Sequence, residues 1–188
     1  MISDSAITRR TLLGGLAGLG VLAATPAFAS APTVLKGAGN YRKVALNSPK
    51  TGEWLNTVYW VEGEYIPEAL DAISYLMRDW REDMVKPIDP RTIDIMAATH
   101  HLLECGEPFS IVSGYRTKRT NAMLRNRSRG VARNSYHIKG MAVDLNMETR
   151  SVRQISGAAL TLHAGGVGKY SRSSFVHLDS GPVRDWGG

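Results

Sequence analysis

The tightest constraint on this chain lies in two short segments where apolar and polar residues alternate one by one. They are Ala142-Val143-Asp144-Leu145-Asn146-Met147 and Phe175-Val176-His177-Leu178-Asp179. A β-strand sends successive side chains to opposite faces. Val143, Leu145 and Met147 then point into a core, as do Val176 and Leu178. Ala142, Asp144 and Asn146 share the other face of the first strand, and Phe175, His177 and Asp179 turn out together from the second. Each strand therefore offers a potential ligand on the face opposite its apolar stripe. Gly140 lets the chain turn between His137 and Asp144. His137, Asp144 and His177 would supply two imidazoles and one carboxylate, the donor set of a catalytic zinc with a fourth position open for water. On spacing alone, a metal cage and two polar strand faces of purely structural purpose fit equally well. His100 and His101 fall in a helical stretch and read as structural or surface residues. His163 lies at a helix end, where a cation is favourable.

The other elements are predicted around these two strands. Residues 40–66 are rich in β-formers, with Glu62-Gly63 as a hairpin turn before Tyr65-Ile66. Pro67 opens a helix carrying Leu70, Ile73, Met77 and Trp80. Asp89-Pro90 starts a second, with Ile93, Met96, Ala97, His100 and Leu103 on one face, and Gly106 stops it. Phe109 to Val112 reads as a short buried strand broken at Ser113-Gly114. Residues 117–125 are predicted helical and residues 126–136 a basic loop. Ser151 caps a helix carrying Val152, Ile155, Ala159 and Leu162, ended by Gly165-Gly166, and Phe175 to Asp179 is the last clear strand. Helices and strands mix without strict alternation, so the class is α+β rather than a doubly wound sheet.

Length and composition bound the rest. With 188 residues, 43% apolar and 21% charged, the chain suits one globular domain. The lone Cys105 excludes an internal disulfide and any cysteine-only metal site. Lys and Arg exceed Asp and Glu by a net +6, which favours anionic partners. Basic residues with so few stacking aromatics argue against nucleic acid.

The first residues read as an address. Arg9-Arg10 precede a Gly-rich, weakly apolar stretch that ends in Pro26-Ala27-Phe28-Ala29, and no charge occurs from Thr11 to Leu35. The pattern resembles a twin-arginine export signal with an A-x-A-type cleavage site. The apolar run is shorter and more glycine-diluted than a membrane span, which needs about 20 strongly apolar residues. The expected organisation is a signal peptide over residues 1–29, a short linker over 30–39 and a catalytic domain over 40–188. Cleavage leaves no stable membrane span. It places the mature protein in the periplasm or outside the cell, where Cys105 is expected to be buried against oxidation.

Ser135-x-His137-x-x-Gly140-x-Ala142-x-Asp144 matches the S-x-H-x-x-G-x-A-x-D signature of the zinc D-Ala-D-Ala peptidases of the M15 type, and Ser113-Gly114-Tyr115-Arg116 resembles their S-G-Y-R element. Gly165-Gly166-Val167-Gly168-x-Tyr170 and Phe175-Val176-His177-Leu178-Asp179 are similar to the DUF882 branch, the murein endopeptidase K (YcbK-like) group. Arg78-Asp79-Trp80 and Val183-Arg184-Asp185-Trp186 also fit that branch. The resemblance spans roughly residues 40–186. It implies an M15/hedgehog-like fold in which a small antiparallel sheet carries one Zn2+ per chain, with helices packed around it. Zinc would sit on His137, Asp144 and His177. Ser135 would support substrate or its loop, Arg116 would face the reacting carbonyl, and Tyr170 would hydrogen-bond substrate or pack.

M15-type peptidases outside this branch keep a general base just ahead of the last histidine. Here those positions are Ser174 and Phe175, which cannot serve. Asp179, on one strand face with His177 and roughly 7 Å along the backbone, is the expected proton carrier; its other role would be to orient a ligand histidine. The resemblance implies a secreted zinc peptidase acting on peptidoglycan stem peptides. The branch points to endopeptidase cleavage of cross-bridges at L,D (3-3) links. The alternatives are a D,D-carboxypeptidase or dipeptidase, and a non-catalytic wall-binding module that kept the zinc cage. Arg125, Arg127, Arg129 and Arg133 would engage stem-peptide carboxylates or form a solvated loop.

Overall fold

Strand β1 (Tyr41–Ser48) and strand β2 (Glu53–Val61) pair antiparallel, and β3 (Glu64–Tyr65) folds back on β2. The turn before β3 uses Glu62 and Gly63, both at positive φ, as its sequence predicts. A computed structural model describes residues 40–128 and 130–188; the expected signal and linker, and Arg129, lie outside these residues. After β3 come helix α1 (Pro67–Leu76), helix α2 (Pro90–Leu102), strand β4 (Phe109–Ser113) and helix α3 (Lys118–Arg127). A 3₁₀ turn (Tyr136–Lys139), strand β5 (Ala142–Asn146), helix α4 (Val152–Thr161) and strands β6 (Gly166–Tyr170), β7 (Phe175–Asp179) and β8 (Arg184–Gly187) complete the described chain.

The helix starts follow their caps. Asp89 accepts from the Arg91 N–H ahead of Pro90, Thr117 accepts from Thr120, and Ser151 forms a capping box with Gln154. The α+β class stands, but the sheet is larger than expected and mixed. Its eight strands run in the order β3-β2-β1-β4-β5-β7-β6-β8, with β1–β4 and β6–β8 parallel. Two strands escaped the sequence reading. Gly166 opens β6, whereas α4 already ends at Thr161, ahead of the glycines expected to stop it, and β8 is a short edge strand with little apolar content. Helix α1 stops at Leu76, before Trp80, because the chain turns into a bridge between Asp79 and Met84. Cys105 is half-buried rather than buried, since it lies beyond α2 in the turn that Glu107 and Thr149 close.

One face of the central strands carries Val143, Leu145, Val167, Val176 and Leu178, packed under Ile93 and Met96 of α2 and Ile155 of α4. The opposite face carries the polar residues that alternate with them. Two rows cross it from strand to strand. One is Ser113–Asp144–His177–Gly168–Trp186, and the next is Ala142–Asp179–Gly166–Arg184. Among the described residues no helix is long and apolar enough to cross a membrane.

His137 reaches this face through Gly140, which has φ +73° and lies where an added Cβ would meet the Pro87 carbonyl oxygen at 2.4 Å. The Gly140 carbonyl in turn accepts from the Asp89 N–H, so the turn is pinned to the start of α2. Gly140→Ala therefore combines positive-φ strain with a backbone clash. It should destabilise the domain by about 1–3 kcal/mol, measured as a lowered denaturation midpoint with an unchanged slope.

Candidate metal centre

Three donor atoms converge on the polar face. His177 Nδ1 lies 2.9 Å from Asp144 Oδ1 and 3.1 Å from His137 Nε2, and that Nε2 lies 3.2 Å from the same Asp144 oxygen. His137, Asp144 and His177 are 2%, 4% and 8% exposed, so water does little to separate them. They form the group able to hold a metal ion among the described residues.

The outer nitrogens decide whether a metal fits. His137 Nδ1 sits 2.7 Å from the Gly114 carbonyl oxygen, which can only accept, so the ring proton is on Nδ1. His177 Nε2 sits 2.9 Å from Asp179 Oδ2 and donates to it. With both outer nitrogens committed, neutral rings aim two lone pairs at a carboxylate oxygen. A tetrahedral zinc would hold such donors about 3.3 Å apart. The donor set, its spacing and its fixed tautomers all fit a cation.

Each ligand is braced by neighbours. The Arg116 N–H donates to the His137 carbonyl, so the Gly114–Arg116 segment grips His137 by ring and by backbone. Ser135 is nearly buried and caps the 3₁₀ turn, its hydroxyl accepting from the His137 N–H. The Arg116 guanidinium pairs with Asp144 Oδ2 and donates to Ser113. Asp179 accepts from both Arg184 amino groups, at 2.9 and 2.7 Å, and from the Gly181 N–H.

Asp179 stands on the far side of His177. Strand alternation puts it beside His177, and so it does stand, but at the ring nitrogen facing away from the cage. It is fully buried and does not line the cleft. Burial opposes its charge, yet the hydrogen bonds from His177 and Arg184 outweigh that and hold its pKa well below the usual carboxylate range. A carboxylate so acidic and so fully partnered does not suit general-base work, which favours a pKa near the working pH.

Sequence reasoning gave Arg184 and Trp186 no part. Their spacing of two on a strand was the available signal, because it puts both on one face. Arg184 also lies over the Tyr136 and Trp186 rings, at 5.1 and 4.8 Å. Trp186 donates its indole N–H to the Tyr170 hydroxyl at 3.0 Å, and Tyr170 stacks on Phe175. Side chains at Gly166 or Gly168 would collide with Arg184 and Asp179, or with the Trp186 ring, at 2.3–2.7 Å. The glycine run thus makes room for the bracing groups.

The cage opens into a cleft of about 540 Å³. Tyr170, Phe175 and Trp186 are aromatic parts of its lining, and Arg81, Arg116 and Arg184 are its guanidinium groups; Asp144 is the one carboxylate among the described lining residues. Arg125, Arg127 and Arg133 are exposed on α3 and the loop after it. Away from the cage, His100 bonds the Glu107 carbonyl and packs on Phe109, and His163 lies just past α4.

Three donors converging beside a cleft of this size are the layout of a metal-dependent hydrolase. The family model described as "Peptidoglycan L,D-endopeptidase MepK" matches residues 36–186. The protein of that name from Escherichia coli K12 is 42% identical over 180 residues, covering 95% of this chain and 96% of that protein. The "Probable peptidoglycan L,D-endopeptidase MepK" of Haemophilus influenzae is 39% identical over 149 residues, covering 78% of this chain and 80% of its own. The chain belongs to the peptidoglycan L,D-endopeptidase MepK family.

The cage titrates. Burial lowers the pKa of His137 despite the Asp144 charge. For His177 burial acts the same way but loses to hydrogen bonds with Asp144 and Asp179, so its pKa rises. Without metal, His177 therefore holds a second ring proton, on Nδ1, to higher pH than a free imidazole, and a metal must displace that proton. Metal affinity should be highest above the raised His177 pKa and should fall as pH drops through it, releasing metal in a pH-stepped dialysis. His177→Ala should lose nearly all bound metal, and His163→Ala none.

Proposed function

We propose that this chain is an exported zinc peptidase that cleaves L,D (3-3) cross-links between peptidoglycan stem peptides. The observation that carries this reading is the convergence of His137 Nε2, Asp144 Oδ1 and His177 Nδ1 at the floor of a cationic cleft, in a member of this family. Residues 1–29 act as a twin-arginine-type signal and 30–39 as a linker, so the domain works in the periplasm or outside the cell, where its substrate is.

His137, Asp144 and His177 would hold the zinc, which when bound would supply Lewis acidity toward an amide carbonyl and a water acidified to near neutral pH. Arg116 keeps one arm on Asp144 and adds positive charge where the carbonyl oxygen becomes anionic. Tyr170 accepts from Trp186, which leaves its own hydroxyl proton free to donate into the cleft and position the peptide. Ser135 acts through the 3₁₀ turn, keeping His137 at the cleft floor. Asp179 fixes the tautomer and ring plane of His177, and Arg184 fixes Asp179.

Mass spectrometry of muropeptides treated with the metal-loaded chain tests the reading. Cross-linked dimers should be split to monomers. Release of only terminal D-Ala would point to a D,D-carboxypeptidase, and no product to a wall-binding module. Asp179→Asn should weaken metal binding by roughly 10–100-fold, with turnover largely restored at saturating zinc. A proton carrier would instead lose about 10²–10⁴-fold even at saturation. Replacing Arg9 and Arg10 by Lys should leave precursor in the cytoplasm, detected by fractionation; unchanged export would assign the signal to the general secretory route.

A further inference from the structure

Three guanidinium groups line the cleft among the described residues, and two are already committed. Arg116 is paired with Asp144 and bonded to Ser113, and Arg184 is paired with Asp179. Arg81 forms no ion pair and no side-chain hydrogen bond among the described residues. Its guanidinium carbon lies over the neighbouring Trp80 ring, 4.2 Å from the centroid, so the side chain is held by the ring while the N–H fork has no partner among the described residues.

The backbone around Arg81 is fixed to the site. Asp79, only 1% exposed, accepts from the Arg81 N–H at 3.2 Å and from the Thr117 N–H at 2.9 Å. One buried carboxylate thus ties the Arg81 turn to the segment carrying Arg116. The Tyr115 N–H adds a second tie, donating to the Met77 carbonyl at 2.8 Å. Asp79 and Trp80 were singled out in the sequence without a role, and the geometry gives them this one. Burial and the nearby Arg116 and Arg127 charges lower the Arg81 pKa, opposed by Asp79. Among the described lining residues the one carboxylate, Asp144, is paired with Arg116, which leaves no lining carboxylate to Arg81.

Resting on the peptidase reading above, we propose that Arg81 binds a free carboxylate of the peptide lying across the cage, making the cleft selective for acidic peptides. Trp80 would hold the guanidinium stem and Asp79 its backbone, so that the fork arrives pre-oriented for a bidentate contact.

A cross-linked muropeptide dimer and the same dimer with its free carboxylates amidated test this. Both are given to the metal-loaded wild type, Arg81→Gln and Arg81→Lys, and kcat/KM and affinity by tryptophan fluorescence are recorded. The wild type should prefer the acid form by roughly 10–100-fold. Arg81→Gln should lose far more on the acid than on the amide, collapsing the preference, and Arg81→Lys should keep part of it. Retention of the full acid preference in Arg81→Gln overturns the proposal, as does its absence from the wild type. If the wild type cleaves neither dimer, the peptidase reading fails by itself. The affinities then still decide: a preference that Arg81→Gln abolishes upholds the role of Arg81, and one it keeps overturns it.

Discussion

Three lone-pair donors cannot be packed nose to nose in a dry site unless something holds each of them there. His137, Asp144 and His177 repel one another whenever both rings are neutral and no cation lies between them, and burial denies them water as a partner. Much of the polar sheet face answers that difficulty. A backbone carbonyl at Gly114 fixes one ring, Arg116 fixes the carboxylate, and the Asp179–Arg184 pair fixes the other ring. Gly166, beside Asp179, and Gly168, beside His177, carry no side chain where Arg184, Asp179 and the Trp186 ring take the space.

The apolar side of the same strands sets the alignment. Val176 and Leu178 alternate with His177 and Asp179, so a one-residue slip of β7 would drive two valuable polar groups into the core and expose two aliphatic ones. Register against β5 is thereby enforced by hydrophobic burial, and the donor geometry follows from it. Metal affinity and core packing are two readouts of one alignment.

Strand alternation left a metal cage and a purely structural polar face equally open, and the resemblance carried by the Ser135-to-Asp144 signature favoured the cage. The face of Asp144 and of His177 could be read from alternation, and the glycine turn at Gly140 from its position. Alternation says which face a side chain occupies, not which ring nitrogen it meets, and that is why Asp179 was expected toward the cleft and lies behind His177. Strand β6 was hidden because glycines carry no β signal; their purpose depends on Trp186 and Arg184, residues far along the chain. The parallel pairings of β4 with β1 and β8 with β6 depend likewise on long-range contacts that no local pattern encodes. Cys105 was expected inside because of its chemistry, but its place was decided by a turn built around Glu107.

Strand β8 enters the sheet after every donor and every core strand is already in sequence behind it. The ligand His177 is thus laid down before the arginine that steadies it, and the parallel pairing of β8 with β6 requires the chain to travel back across the sheet. A fragment ending before Arg184 would keep the donors and the aliphatic core, yet leave Asp179 without the guanidinium that bonds both of its oxygens. Such a fragment could fold and bind metal loosely without arranging it well. The edge strand thus governs how firmly the donors are held rather than which donors are present.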